Sequence, residues 1–214
     1  MIKIDNIEVF GWEAAIRGMR NPKNSWGKSD SFKLPPDEDG TPWIGQNDIK
    51  LMQSLIKAGT DHSKFMRMIN VTMDITAPLY WWKEFDTYKV GTVANSCSTM
   101  HKIQSKEFSL DDFSHEHLLD ETLTFSIIPI AILNSLIDCL NEILRLYIKT
   151  KDKQYWWQLI QLLPSSYNQK RTVQLNYQVL RNMYFSRKNH KLDEWVNFCK
   201  TIESMPYAKE LICV

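Results

Sequence analysis

Apolar and polar residues alternate at the start of the chain, where Ile2, Ile4, Ile7 and Val9 are interleaved with Lys3, Asp5 and Glu8 and only Asn6 falls out of step. A period of two marks a half-buried strand, so the segment predicts a short edge strand broken near Asn6. The period lengthens over residues 46–58, where Ile49, Leu51, Met52, Leu55 and Ile56 share a helical face, with Asn47 or Asp48 as a cap and Gly59 as terminator. Alternation returns with Ile69, Val71, Met73 and Ile75 against Asn70, Thr72 and Asp74, and predicts a second strand ending at Pro78. Residues 79–88 read as a short aromatic helix and 89–98 as a polar loop.

Helical periodicity dominates afterwards. Residues 127–149 have the length and pattern of a buried central helix, 153–163 stop before Pro164, 172–187 read as one amphipathic helix, and 192–204 complete the set. The sum is an α+β fold: a modest sheet and a helical layer around a long central helix. Residues 21–45, with Pro35-Pro36 and Asp39-Gly40 as turn chemistry, read as a long loop. Loops of that length are often functional, which makes Arg17, Arg20 and Asn21 at its start candidate ligand contacts, with solvated surface as the plainer reading. No repeat or low-complexity tract divides the chain, so residues 1–214 are expected to form one domain.

Composition narrows the function classes. The chain is 43% apolar and 24% charged, with 26 basic against 25 acidic side chains and a formal net charge of +1. That balance provides no global field for a nucleic acid polymer. The N-terminus lacks the pattern of a secretory signal, and the apolar run at 127–140 is broken by Pro129, Asn134, Ser135 and Asp138, too polar to span a bilayer. A cytosolic protein with no membrane partner is expected. Cys97, Cys139, Cys199 and Cys213 form no CxxC pair and read as reduced thiols. His115-Glu116-His117, with His101 upstream, carries ligand-type residues but matches no closed metal motif, so no metal site is expected.

Two stretches carry a resemblance. Residues 57–101 run through Tyr80-Trp81-Trp82-Lys83-Glu84-Phe85 to Thr87-Tyr88-Lys89 and on to Asn95, Ser98 and Met100; residues 162–187 contain Leu163-Pro164, then Asn176, Asn182 and Arg187. Together with His62, sixteen residues before Pro78, they resemble the flavin-dependent thymidylate synthases, the ThyX family. The resemblance implies a ThyX-like fold with a small antiparallel sheet. It further implies reductive methylation of dUMP to dTMP, with FAD as cofactor and NADPH and methylenetetrahydrofolate as co-substrates, in a homotetramer whose active sites are shared. It assigns His62, Thr87, Tyr88, Lys89, Asn95, Asn176 and Asn182 to the cofactor, and Glu84, Ser98, Met100 and Arg187 to the substrate. The match is partial. Thr87-Tyr88-Lys89 stands where the family has Arg-His-Arg, keeping one positive charge, Asn95 and Ser98 fit with one residue inserted, and Met100 and Ile160 stand where substrate arginines are expected.

Elementary chemistry frames the expectation. An arginine fork donates paired hydrogen bonds to a carbonyl or phosphate and never titrates away, so losing two such groups weakens anion binding unless Lys89, Lys102, Arg17 or Arg20 replaces them. In one helix, the eleven-residue step from Asn176 to Arg187 returns to about the same face, within roughly 20°. The family uses no protein nucleophile for methyl formation, so Cys97 and Ser98 are expected to pack or to make local hydrogen bonds. Without the resemblance, the two asparagines read as surface residues and Arg187 as a cation compensating a helix C-terminus. A catalytically degenerate protein of the same fold, acting as a nucleotide-binding or interaction module, is the alternative reading; a helical scaffold unrelated to nucleotides is a third.

Overall fold

Strand β2 (Asn70–Pro78) buries Val71, Met73, Ile75 and Ala77 on one face and leaves Asn70, Thr72, Asp74 and Thr76 half buried on the other, the alternation legible in its sequence. The computed structural model, which describes residues 2–33, 41–122 and 127–214, places it inside a four-stranded sheet. Strand β1 is Lys3–Phe10, β3 is Val93–Ser96 and β4 is Asn168–Asn176, in the order β1-β2-β4-β3. The pairings are antiparallel. Asn6 donates to Asp74 while Thr72 donates to Glu8, and the Leu79 amide donates to Tyr167 while the Tyr177 amide donates to Ile69. β1 lies at an edge, as its sequence predicts. Asn6 does not end it: the residue takes a left-handed φ of 53° within the strand and spends its side chain on Asp74.

Two readings of the sequence are corrected. Residues 172–187 are not one helix, because β4 runs to Asn176 and helix α6 (Tyr177–Arg187) follows directly. Gln169, Val173 and Leu175 are buried between more exposed neighbours, an alternation that pairing with β2 made decisive. Residues 89–98 are not wholly loop, since Val93–Ser96 forms an edge strand whose residues are all exposed and so give no hydrophobic signal.

The described residues fall into two compact units, one drawn from within 1–3, 76–85 and 96–171, the other from within 4–75, 86–95 and 172–214. In the first, helix α3 (Leu79–Phe85) buries Trp81, Trp82 and Phe85, with the two indoles edge to face at 4.9 Å. Helices α4 (Pro129–Thr150) and α5 (Lys153–Leu162) pack together over a core that includes Phe108, Phe113, Leu140, Leu144 and Leu159. The long helix anticipated at 127–149 is therefore present, but it buries one face only: Ile132, Leu146 and Ile148 are exposed. Asn141 on its buried face accepts from the Phe108 amide at 2.7 Å and donates to the Phe108 carbonyl at 2.9 Å, closing both backbone groups of a loop that would otherwise be buried unpaired.

The second unit contains α1 (Trp12–Arg20), α2 (Gln46–Lys57), α6, α7 (Asp193–Glu203) and α8 (Ala208–Leu211). Helix α1 was not anticipated, although Trp12, Ala15, Ile16 and Met19 recur at helical spacing and are all buried. The 21–45 segment contains 3-10 turns at Asn21–Lys23 and Trp26–Lys28 and an antiparallel bridge from Phe32 to Trp43. Its two turn pairs, Pro35-Pro36 and Asp39-Gly40, lie outside the described residues. Among the described residues, no helix is long and apolar enough to cross a membrane. The four cysteines are free thiols, and burial pushes the Cys199 thiol up to about 12.

Arg20 turns out to be structural. Its Nε lies 2.7 Å from Asp48, a fully buried residue whose carboxylate also accepts from the Ser29 and Ser31 hydroxyls and the Asp30 and Ser31 amides. Burial works to raise that carboxyl's pKa, but the Ser31, Ser29 and Arg20 hydrogen bonds outweigh it and hold the group below the usual carboxylate range. Asp48→Asn should cost about 3 kcal/mol or more, since it leaves a buried guanidinium without its counter-charge. The folded pKa is depressed, so this stabilisation is complete above the ordinary value of 3.8 and fades as pH falls through the folded pKa below it. Urea unfolding of both proteins at pH 7 and in acid should show the gap between them narrow only below that value.

Candidate functional site

Asn176 ends β4 and caps α6. Its Oδ1 accepts from the Val179 amide at 3.1 Å, with a φ of −136°, outside the helical range. The cap consumes only the oxygen, and among the described residues Nδ2 has no hydrogen-bond partner. That amide faces Gly91: a Cβ there would stand 3.0 Å from Asn176 Nδ2 and 3.2 Å from Val179 Cγ2, and Gly91 has a φ of +77°. Only glycine lets the backbone approach this closely in this conformation. Beside it, Thr92 Oγ1 is buried and, among the described residues, has no hydrogen-bond partner.

The other end of α6 holds Arg187. Its Nε donates to the Tyr88 hydroxyl at 3.0 Å, its NH1 lies 3.0 Å from His190 Nε2, and its guanidinium sits 4.9 Å above the Trp195 ring and 5.7 Å from the Tyr88 ring. Trp195 is fully buried and meets Tyr88 edge to face at 6.1 Å. Hydrogen bonds and two aromatic faces thus hold a half-buried cation in a fixed plane, so presenting it to a carbonyl or phosphate costs little further side-chain entropy.

On another face of α6, Gln178 accepts from Ser63 at 3.2 Å and donates to Asn182 Oδ1 at 3.1 Å. Ser63 follows His62, so this relay ties the turn bearing His62 to Asn182. The His62 and Asn182 side chains are exposed. The fold therefore gathers Tyr88 with Arg187, the loop bearing Thr87 and Lys89 with Asn176, and His62's neighbour with Asn182, all within the second unit. Asn95 is in that unit too, exposed on β3.

The remaining expected residues belong to the first unit. Glu84 is half buried on α3. Ser98 accepts from the His101 amide at 3.0 Å, and Met100 is exposed, its carbonyl accepting from the Trp156 indole at 3.0 Å. Cys97 is paired through its backbone, its amide donating to Lys170 and its carbonyl accepting from Gln169. Ile160 packs on the apolar core of that unit, so no cation stands there. Glu116 folds back onto the Ser114 hydroxyl and the His115 amide, and the His115 ring lies 2.8 Å from the Phe113 carbonyl.

Two features corrected or escaped sequence reasoning. Asn176 is a cap at the end of a strand, so it does not share a helical face with Arg187; the α6 axis separates them by the length of the helix instead. The aromatic brace of Arg187, made by Trp195 and His190, was not foreseen, although Trp195 lies eight residues on and a Trp at a helix start is a visible anchor. A cavity of about 280 Å³ in the second unit is lined by Ile16, Arg17, Trp26, Phe32 and others and includes none of the expected flavin or nucleotide residues. Of the loop-entrance candidates it keeps only Arg17 available, Arg20 being committed to Asp48 and Asn21 accepting from the Trp26 indole.

Comparison with known proteins gives the fold a context. No protein-family model and no curated protein matches the sequence. Among solved structures, the chain is similar to the flavin-dependent thymidylate synthase ThyX of Helicobacter pylori complexed with FAD and dUMP, with a TM-score of 0.69 and 17% identity over 98% of this chain and 97% of that one. A second structure of ThyX from Helicobacter pylori with FAD and dUMP gives a TM-score of 0.69 and 16% identity over 99% of this chain and 97% of that one. The chain has the fold of these proteins.

Because Asn176 offers oxygen to the helix and nitrogen to the loop, its two roles separate by mutation. Asn176→Ala should lower stability by about 1 kcal/mol through loss of the cap, whereas Asn176→Asp, an equally good cap, should leave it within a few tenths. Denaturant midpoints measured at equal slope check both.

Proposed function

We propose that this chain is a divergent flavin-dependent thymidylate synthase, a cytosolic homotetramer that binds FAD and dUMP and forms dTMP with methylenetetrahydrofolate and NADPH as co-substrates. One observation carries the reading: in a chain with this fold over nearly its whole length, Tyr88 meets Arg187 and Gly91 meets Asn176 at opposite ends of one helix. The resemblance assigns Tyr88 and Asn176 to the cofactor and Arg187 to the substrate. The alternative, a catalytically degenerate protein that binds nucleotide without turning it over, draws on Met100 and on Ile160, whose place in an apolar core leaves the expected cation without a substitute there.

The residues suit a flavin. Among the described residues, Asn176 Nδ2 is an unspent donor beside a glycine cradle that a Cβ would fill, and the buried Thr92 hydroxyl lacks a partner, chemistry that the carbonyls and ring nitrogens of an isoalloxazine match. His62, Thr87, Tyr88, Lys89, Asn95 and Asn182 complete the proposed cofactor set. When bound in reduced form, the flavin supplies hydride and the folate the carbon. The protein's part is binding and polarisation. The Arg187 guanidinium, braced by Tyr88 and Trp195, donates to an anionic or carbonyl oxygen of the nucleotide, and Glu84 and Ser98 orient the ring. Met100 borders the substrate without charge.

Freshly purified protein should be yellow and should release flavin on mild denaturation, and the gene should rescue a thymidine auxotroph. A colourless protein ends the reading; a yellow protein that fails to rescue selects the degenerate alternative. Asn176→Asp should reduce bound flavin at unchanged stability. Arg187→Ala should weaken dUMP binding roughly tenfold or more, the worth of about 1.5–3 kcal/mol for a hydrogen bond to a charged group. Flavin absorbance per protein and calorimetric titration read the two effects.

A further inference from the structure

A cavity of about 310 Å³ opens in the first unit, between the Met100–Gln104 turn and the corner joining α4 to α5. It is lined by His101, by the cations Lys151 and Lys153 and by the rings Tyr147 and Trp156, and among the described residues no carboxylate lines it. Asp152, between the two lysines, is engaged elsewhere: its oxygens accept from the Gln154 amide at 2.9 Å and the Gln154 side chain at 3.1 Å. Among the described residues, neither Lys151 nor Lys153 has an ion-pair partner; their ammoniums lie only near ring faces, 5.8 Å from the Tyr147 centroid and 5.7 Å from that of Trp157.

The corner is built to hold this arrangement. Lys151 ends α4 in the left-handed conformation, φ 58°, with its amide donating to Tyr147 at 2.8 Å, and α5 begins two residues later. Lys151 and Lys153 are therefore tied to the same tight turn. The Trp156 indole, fixed by its hydrogen bond to the Met100 carbonyl, borders them. Gln104 Oε1 is buried there and, among the described residues, has no hydrogen-bond partner, an acceptor left for a donor. Concentrated positive charge without a counter-ion selects an anion, and flat aromatic surface selects a planar ring.

We infer that this cavity binds a nucleoside monophosphate, with Lys151 and Lys153 holding the phosphate and Trp156 bordering the base. The choice of a uracil nucleotide rests on the function proposed above; the anion site stands on the cavity alone. It supplies, from the α4–α5 corner, the charge that Met100 and Ile160 lack. Lys89, Lys102, Arg17 and Arg20 line no part of it.

Full-length wild-type protein and a double variant, Lys151→Gly with Lys153→Gln, are titrated with dUMP, deoxyuridine and inorganic phosphate by calorimetry. Glycine accepts the φ of 58°, and circular dichroism checks the fold; the single variant Lys153→Gln carries the test if the double one unfolds. Loss of two charged contacts should weaken dUMP binding about tenfold or more while deoxyuridine binds as before, and inorganic phosphate should compete in the wild type only. Equal dUMP affinity in variant and wild type, or no dUMP binding by the wild type, overturns the inference. Flavin content separates the two proposals: a yellow protein with lysine-independent dUMP binding refutes the cavity and spares the synthase, and a colourless protein with lysine-dependent binding does the reverse.

Discussion

The antiparallel register between β2 and β4 is the constraint on which the candidate site depends. Tyr177 donates its amide to Ile69 where the two strands part, and that bond sets the residue at which β4 stops and α6 starts. The preceding residue is Asn176, whose short side chain can turn back to cap the helix. A shift of one residue would put Tyr177 in the cap position and reverse the faces of β4, burying Gln174 in place of Val173 and Leu175. Exposing the buried Val173 and Leu175 opposes that slip, since exposing each such side chain costs about 1.5–3 kcal/mol.

From that start, α6 works as a ruler. Its first turn meets Gly91 through Asn176 and Val179, and its last turn meets Tyr88 through Arg187. The loop between Tyr88 and Gly91 is thereby tied at two points, although Val90 between them is 90% exposed. Polar contacts on exposed chain contribute little individually. Here they act beside a buried indole, Trp195, and a glycine that no other residue replaces without strain, so the loop is positioned by packing as much as by hydrogen bonding.

Charge is distributed by the same logic. Arg20, a candidate for ligand contact in the sequence, is consumed by a buried carboxylate that four other donors also satisfy, because a guanidinium excluded from water needs a full complement of acceptors. Arg187 is oriented by rings and a hydroxyl. Among the described residues Lys151 and Lys153 stay without an ion-pair partner, since the one carboxylate between them caps α5. Four cations thus acquire three different roles from what surrounds them.

The sequence by itself determined what local periodicity encodes: the β2 strand, the helix at 46–57, the long helix α4, the helix stop before Pro164, and the spacing of Asn176, Asn182 and Arg187 that carries the resemblance. It did not determine β3, whose four exposed residues have no pattern, nor the change from strand to helix at Asn176. There, alternating and helical periods overlap, and only hydrogen bonding to β2, a hundred positions away in the chain, selects one. The partners of Arg187 and Arg20 were equally out of reach. Whether a cation is braced, buried or left open depends on which side chains the fold brings within a few ångströms, and contacts between distant segments leave no mark on the order of residues along either one.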